Sequence, residues 1–548
     1  MKDPRPTEGA RPAPPVPDAA LAAQEQLLPF LLNPRSYPHH PRQVRLVQIH
    51  ASFVLLAPPF VYKIKKPVNF GFLDFSTLER RRHFCAREIE LNRRLSPGVY
   101  LEVVPVSQTG GRLAFGPGDR VVEYAVRMRR LAPGGFLDRR VARQAVRMSH
   151  MDRVVEVLAR FYRAHPPTPE VTAWGRIARL RISTDENFRQ TREFVGRTLS
   201  PAAFAVLRRY TREFYRRRRA LLERRVRERC IRDCHGDLHL EHIHLTPRAL
   251  TIYDCIEFND RFRYVDVASD VAFLAMDLDY EGRPDLGRRA VAGMAGALGD
   301  ADLLRLMDFY KAYRAYVRGK VESLHSVTVA APEAERQASV ELARRYFRLA
   351  LRYAVAGSHP LVVAVMGRIA SGKSTLAAAL GAELGWRVLS SDRIRKELAG
   401  FPLFERSSAA ARRRLYSAAM TRRTYRRLFE LAAAEVKAGR GVILDATFGR
   451  REHREALAGH PGLRAAACRF LEVRAGDRWL QQRLARRERT DGEVSDARRE
   501  DFPMLSRIYQ PPVELGAQRC GRVTSVGRPE RTLERALRWL MDRQLVEG

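Results

Sequence analysis

Gly367-Arg368-Ile369-Ala370-Ser371-Gly372-Lys373-Ser374 fits the spacing G-x-x-x-x-G-K-[ST], and both flanks agree with it. Before it runs Leu361-Val362-Val363-Ala364-Val365-Met366, a short apolar segment that predicts a buried parallel strand. After it, Thr375-Leu376-Ala377-Ala378-Ala379-Leu380 is a strong helix-forming run. Strand, glycine-rich turn and helix, in that order, make a phosphate cradle. The glycines let successive backbone N–H groups close on a polyphosphate, and the helix N-terminus adds partial positive charge. The spacing assigns residues Gly367 to Thr375 to nucleotide binding, with Lys373 reaching the β/γ-phosphates and Ser374 holding Mg²⁺. ATP and Mg²⁺ are therefore the expected cofactors. A chance glycine- and serine-rich turn would need neither flank.

Further along, Trp386-Arg-Val-Leu-Ser-Ser391 predicts a second strand that delivers Asp392 to its C-terminal end, where α/β active sites form. Asp392 and Arg395 then share one face of a starting helix. Gly441-Val-Ile-Leu-Asp445-Ala-Thr447 predicts another buried strand, ending in a carboxylate placed to hold Mg²⁺ through water. Arg483, Arg486 and Arg487 fall at i, i+3 and i+4 of a helix, ahead of a polar stretch at 490–495. Each has a plain structural alternative: a helix cap for Asp392, a buried structural carboxylate for Asp445, a solvated face for the arginines. Ala356-Gly-Ser-His-Pro360 carries the glycine and proline of a linker, which sets this domain at 361–548.

The preceding chain has a different pattern. Residues 1 to about 20 are rich in Pro, Ala and charge and predict disorder. A short helix over 20–32 ends at Asn33-Pro34, and 1–42 stands apart as a variable segment. Val44–His50, Phe53–Leu56 and Phe60–Lys66 predict strands; in the third, Val61 and Lys63 share one face, Tyr62 and Ile64 the other. An amphipathic helix over 76–95 carries Glu88, and Leu101–Pro105 and Val121–Met128 add strands. A small, mostly β lobe with one helix is expected there. Lys63 could equally be a solvated strand lysine, and Glu88 a helix-surface carboxylate. From Val141 to about Arg229 the pattern is helical and arginine-rich. Then come Asp233-Cys-His235-Gly236-Asp237-Leu-His-Leu-Glu-His242-Ile243, a strand-like run from Leu250 to Asp254, and helices to about Val355.

At 548 residues the chain exceeds a single core, and 45% hydrophobic with 29% charged residues describes packed globular domains. The formal charge of +36 invites an anionic partner. The basic residues are mostly arginine and are spread along the whole chain, so nucleic acid is not the favoured partner. Cys230 and Cys234 are the only close pair among six cysteines, with no second pair at zinc spacing, so buried free thiols in a reducing compartment are expected. No apolar run approaches membrane-spanning length and no basic-then-apolar leader opens the sequence. A cytoplasmic protein without membrane association is expected.

His235-Gly236-Asp237 followed by a strand ending at Asp254 resembles the catalytic core of the aminoglycoside phosphotransferase-like branch of the protein-kinase fold, over about residues 43–350. The resemblance implies that Lys63 holds the α/β-phosphates, Glu88 is its ion-pair partner, Asp237 accepts the substrate hydroxyl proton and Asp254 binds metal. Asp266 and Asp270 would brace the loop and helix behind them. Phosphoryl transfer asks for these types: charge neutralisation, positioning, and one carboxylate near the attacking oxygen. Two features depart from that family. His242 stands where a metal-binding Asn is usual, and Ala57-Pro58-Pro59 occupies the turn where a glycine-rich loop is usual.

In the C-terminal part, Asp392-x-x-Arg395 resembles the polynucleotide-kinase, gluconate-kinase and zeta-toxin group. There the Asp takes the acceptor's proton, the Arg holds a phosphate, and lid arginines, here Arg483 and Arg487, close on the nucleotide. As a whole the chain resembles bacterial bifunctional aminoglycoside phosphotransferase/ATP-binding proteins, whose C-terminal half carries an AAA-family ATPase label. The resemblance implies an α/β and α+β multidomain architecture. A two-lobe kinase-like fold would occupy 43–355, and a P-loop NTPase domain with a parallel sheet and helices on both faces would follow the linker. The expected activity is ATP-dependent phosphorylation of a small-molecule hydroxyl. A polynucleotide 5′-hydroxyl kinase and a non-catalytic nucleotide-gated regulator are the alternatives.

Overall fold

The computed structural model describes residues 18–328, 332–405, 407–489, 494 and 498–547. The segment expected to be disordered lies outside them except for its last residues, as does the polar stretch at 490–495 except Val494. By contacts the chain divides into two compact units, Met1–Leu180 with Ala220–Met307, and Arg181–Arg219 with Asp308–Gly548. No described helix is long and apolar enough to cross a membrane.

The first unit is built on six antiparallel strands: β1 (Arg45–Ile49), β2 (Ser52–Ala57), β3 (Phe60–Lys65), β4 (Tyr100–Thr109), β5 (Arg112–Phe115) and β6 (Arg120–Arg129). They lie in the order β1-β2-β3-β6-β4-β5. Period-2 alternation places β3 as its sequence requires: Tyr62 and Ile64 are buried with Phe53, Leu55 and Ala125 on one face. Val61 packs on the other face with Cys85, Ile89 and Val126. Helix Leu78–Asn92 covers that second face, and the Thr77 side chain caps it by accepting from the Arg80 N–H. β5 was not expected; Gly110-Gly111 ahead of it, both at positive φ, is the turn that folds it back on β4. Two small antiparallel pairs follow, β7 (Ile231–Asp233) with β10 (Tyr264–Asp266), and between them in the chain β8 (Ile243–Leu245) with β9 (Leu250–Ile252). They hold the loop from Cys234 to His242 and the segment that begins at Asp254.

In the second unit, β11 (Leu361–Met366), β12 (Arg387–Ser390), β13 (Val442–Asp445), β14 (Ala467–Arg474) and β15 (Cys520–Thr524) form a parallel sheet in the order β12-β13-β11-β14-β15. Every side chain of β11 is buried, which is why that strand reads as an unbroken apolar run. Val362, Ala364, Val442, Leu444 and Phe470 face Leu428, Phe429 and Ala432 of helix Ala418–Lys437. Val388 and Ile443, of opposite parity, face Gly381 of helix Lys373–Leu384, so helices cover both faces. The expected linker lies inside this unit. There Ser358 Oγ donates to Asp308 Oδ1 at 2.6 Å and Gln544 Nε2 donates to Asp308 Oδ2 at 3.0 Å. Its glycine ends helix Glu333–Ala356 and its proline precedes β11.

Candidate functional site

The order β12-β13-β11-β14 makes β11 the strand beside which the connection reverses, and α/β sites form at the carboxyl ends of such strands. Gly367 leaves β11 at φ +143°, and a Cβ there would stand 2.5 Å from the Val473 carbonyl oxygen. No side chain fits. The Gly367 N–H donates to the Thr447 carbonyl at 3.3 Å, tying the turn to the end of β13. Ile369 and Ala370 are buried against Leu480, Leu484 and Phe502, while Arg368 donates to Asp477 Oδ1 at 2.6 Å and Ser506 Oγ at 2.8 Å. The turn is thus held from outside by helix Asp477–Glu488, the element carrying the arginines singled out in the sequence. We expect Gly367→Ala to cost on the order of 1–3 kcal/mol of backbone strain. Because the added Cβ also forces the turn away from the Val473 carbonyl, an ATP-binding titration should show roughly tenfold or weaker affinity.

Inside the turn, Lys373 Nζ donates to the Arg368 carbonyl at 2.9 Å. Burial lowers its pKa, against the opposing pull of Asp445 and Asp392. Asp445, 7% exposed at the end of β13, is raised by burial and lowered in turn by Lys373 and by a hydrogen bond from Ser374. Asp392 lies in the first turn of helix Ser391–Leu398, directly after β12; Ser390, not Asp392, is the residue at the cap position. Lys373, Ser374, Asp392 and Asp445 therefore share one electrostatic neighbourhood. Arg487 also acts on both Lys373 and Asp445.

Two expected arginines are placed otherwise. Arg395 is buried, with Nη1 donating to the Leu415 carbonyl at 2.9 Å and Thr421 Oγ1 at 3.2 Å, and its guanidinium lies over Tyr416. Arg483 donates through Nη1 to the Ala370 and Ser371 carbonyls at 3.3 and 3.1 Å and to Ser525 Oγ at 2.9 Å. It grips the backbone of the cradle. Ser525, just past β15, was not foreseen; its hydroxyl donates to the Ser371 carbonyl, and no local motif announces it. Thr375 is exposed at the start of the helix.

Whether a nucleotide and its metal fit can be judged from the turn itself. Ser371 is 1% exposed, yet its Oγ makes no hydrogen bond among the described residues. A buried hydroxyl without a partner is costly, and a polyphosphate oxygen is the kind of acceptor it lacks. Ser374 and Asp445 add a hydroxyl and a carboxylate, oxygen donors suited to Mg²⁺. The residues fit the group.

The first unit gathers a second set. Lys63 Nζ bridges Glu88 Oε1 at 2.9 Å and Asp254 Oδ1 at 2.7 Å. Lys65, two residues on and therefore on the same face of β3, donates to Glu88 Oε2 at 2.6 Å and to Glu257. Neither Lys65 nor Glu257 was singled out, because their pairing depends on the segment after Asp254 folding back. Burial alone would raise the Asp254 carboxyl; Lys63 and then His242 outweigh it and hold the group well below the usual carboxylate range. Asp254 sits at φ +61°, a conformation Asp tolerates better than most residues, with its N–H donating to the Tyr100 hydroxyl at 3.1 Å.

Gly236 occupies φ +85°, and a Cβ there would meet the Phe262 carbonyl at 2.8 Å. Asp270 accepts from the His235 and Gly236 N–H groups at 3.0 and 2.9 Å and from the Tyr162 hydroxyl at 2.9 Å; Asp266 accepts from Arg225 at 2.7 and 2.9 Å. These bonds fix the loop that presents Asp237. His239 Nε2 lies 3.4 Å and His242 Nδ1 3.5 Å from Asp237 Oδ2, and His242 Nε2 lies 3.5 Å from Asp254 Oδ2. Burial pulls His242 down to about 4.

Residues 362–512 match the family model described as an AAA domain. Among solved structures, a gluconokinase from Sinorhizobium meliloti is similar at 18% identity over 33% of this chain and 92% of its own, with a TM-score of 0.24. Shikimate kinase from Aquifex aeolicus is similar at 12% identity over 33% and 96%, also with a TM-score of 0.24. Over a much longer span, proteins Rv2004c and MT2060 of Mycobacterium tuberculosis and Mb2027c of Mycobacterium bovis are each 34% identical over 405 residues, covering 73% of this chain and 78% of theirs. That span is longer than either unit's share of the chain. With its AAA domain on a glycine-turn parallel sheet, this chain belongs to the family of the mycobacterial proteins Rv2004c, MT2060 and Mb2027c.

Proposed function

We propose that the second unit transfers a phosphoryl group from Mg-ATP to a hydroxyl of a small molecule. The observation that carries this is the convergence of Lys373, Ser374, Asp392 and Asp445 at a turn whose buried Ser371 hydroxyl has no partner among the described residues. When bound, Mg-ATP supplies the transferable phosphoryl group. Residues Gly367 to Thr375 hold the polyphosphate through backbone N–H groups, and Lys373 neutralises its charge. Ser374 and Asp445 would hold the metal. Asp392 accepts the proton of the attacking hydroxyl, and Arg487 adds positive charge on the side of helix Asp477–Glu488. Arg395 positions the helix that carries Asp392 through Leu415 and Thr421. Phosphoryl transfer needs little more than such positioning and charge neutralisation.

A second reading is supported by the Lys63–Glu88–Asp254 bridge. The first unit would then be a kinase-like lobe pair of the aminoglycoside phosphotransferase type, with Asp237 as proton acceptor. The two readings separate in one assay of ADP release from Mg-ATP, run with sugar, aminoglycoside and oligonucleotide pools. Stimulation by one pool that Asp392→Asn removes and Asp237→Asn leaves intact is the expected result. The reverse pattern moves the chemistry to the first unit. A polynucleotide 5′-hydroxyl kinase predicts stimulation by oligonucleotides that collapses as salt rises. ATP binding without stimulation by any pool would favour a nucleotide-gated regulator.

A further inference from the structure

The loop after β7 carries more nitrogen donors than a proton acceptor requires. Asp237, His239 and His242 each bring one ligand atom to within 4.8 Å of the others. The finer distances match metal geometry. Four ligands placed tetrahedrally at about 2.0–2.1 Å from an ion stand roughly 3.3–3.4 Å from one another. His239 Nε2 to Asp237 Oδ2 is 3.4 Å and His242 Nδ1 to Asp237 Oδ2 is 3.5 Å, before any ion draws them together. The two imidazoles lie side by side with ring centroids 3.9 Å apart.

We propose that Asp237, His239 and His242 form a site for a borderline divalent transition-metal ion of the Zn²⁺ class, in preference to Mg²⁺. Two imidazoles and one carboxylate are a donor set that such ions favour, whereas Mg²⁺ keeps to oxygen. The surroundings supply what a metal-bound imidazole usually has. His242 Nδ1 now lies 2.9 Å from the Asp237 carbonyl, a hydrogen bond it exchanges for the ion. Its Nε2–H then faces Asp254 Oδ2 at 3.5 Å, a carboxylate supporting a ligating histidine from behind. Asp254 is in turn held by Lys63, so the support is anchored.

Access is also present. The histidine side chains are 6% and 12% exposed, but that of Asp237 is 33% exposed, which leaves the ion an entry path and an open fourth position for water or a ligand atom. The ion and a substrate proton compete for the same Asp237 oxygen. A loaded site therefore silences any transfer that uses Asp237 as base, and leaves the Asp392 site untouched. The inference stands on the cluster's geometry and does not depend on either unit being a kinase.

The test is titration of the chelator-treated full-length chain with Co²⁺ and Zn²⁺. The expected result is one site per chain with the intense visible absorption of tetrahedral Co²⁺, displaced by Zn²⁺ and not by millimolar Mg²⁺. His239→Ala and His242→Ala should each weaken binding at least 100-fold, and Asp254→Asn should weaken it about 10- to 100-fold. Equal affinity in wild type and the His239→Ala/His242→Ala double variant would mean adventitious binding and overturn the proposal. Should those variants fail to fold, judged by far-ultraviolet circular dichroism, the wild-type spectrum alone decides. A weak octahedral Co²⁺ spectrum, or displacement by Mg²⁺, overturns the site as well.

Discussion

Lys373→Ala is expected to lower acceptor-dependent turnover of ATP by roughly 10³-fold while the chain stays folded. The size follows from removing one preorganised positive group aimed at developing phosphate charge, a loss of the order measured for single transition-state donors. The fold should survive because the hydrogen bond that Lys373 makes among the described residues goes to the carbonyl of Arg368, in its own turn. That turn is held independently by Ile369 and Ala370 in their apolar cluster and by the bonds from Arg368 and Arg483. Burial already disfavours the Lys373 charge, so its removal relieves a desolvation cost. Asp445 and Asp392 lose a cationic neighbour but keep Arg487 in Asp445's case. Circular dichroism and melting temperature should match wild type. Turnover within a fewfold of wild type in a folded Lys373→Ala protein would remove this turn from the chemistry.

The largest stability effect is expected in the other unit. Glu88, fully buried on helix Leu78–Asn92, accepts from Lys63 and Lys65 with its two oxygens. Deleting its carboxylate in Glu88→Ala leaves two buried ammonium groups with one counter-charge each, Asp254 and Glu257. Breaking a buried ion network from one side costs about 3–5 kcal/mol. In thermal unfolding of a domain this size that is a fall on the order of 10 °C. The network need not add stability over an apolar core; what costs is the uncompensated charge. Replacing Lys65, Glu88 and Glu257 together by apolar residues should therefore recover much of the loss, because it leaves Lys63 paired with Asp254 and strands no buried charge. An unchanged unfolding curve for Glu88→Ala would show that the bridge from β3 to the helix is not formed in solution.

How far the sequence carried the fold depends on how local each signal was. The glycine turn was legible because its information is contiguous: an apolar strand, two glycines at fixed spacing and a helix-forming run fall within about 20 residues. The strand of Lys63 was legible too, since alternation alone assigns Tyr62 and Ile64 to one core and Lys63 to the opposite face. β14 was missed because Arg469, Glu472 and Arg474 break its apolar run. β15 was missed because it is short and follows a loop rich in Pro and Gly. Strand 467–474 is recognisable only through parallel pairing with β11, some hundred residues earlier. The segment 356–360 shows the opposite limit: its glycine and proline mark a helix end, and nothing local says which unit a helix joins. At the site, Arg395 keeps its spacing to Asp392, but its partners at 415 and 421 lie on separate helices. Lys65 and Glu257 were passed over for the same reason. Their roles arise from contacts across the fold, which no spacing rule encodes.

Phosphorus-31 NMR of the wild-type chain with Mg-ATP and the acceptor pool that most stimulates ADP release separates phosphoryl transfer to an acceptor from hydrolysis. A phosphate-ester resonance that grows in step with ADP and is absent for Asp392→Asn is expected. ATP binding that yields only inorganic phosphate, or no turnover with any pool, would contradict transfer to an acceptor and leave the second unit a nucleotide-binding regulator.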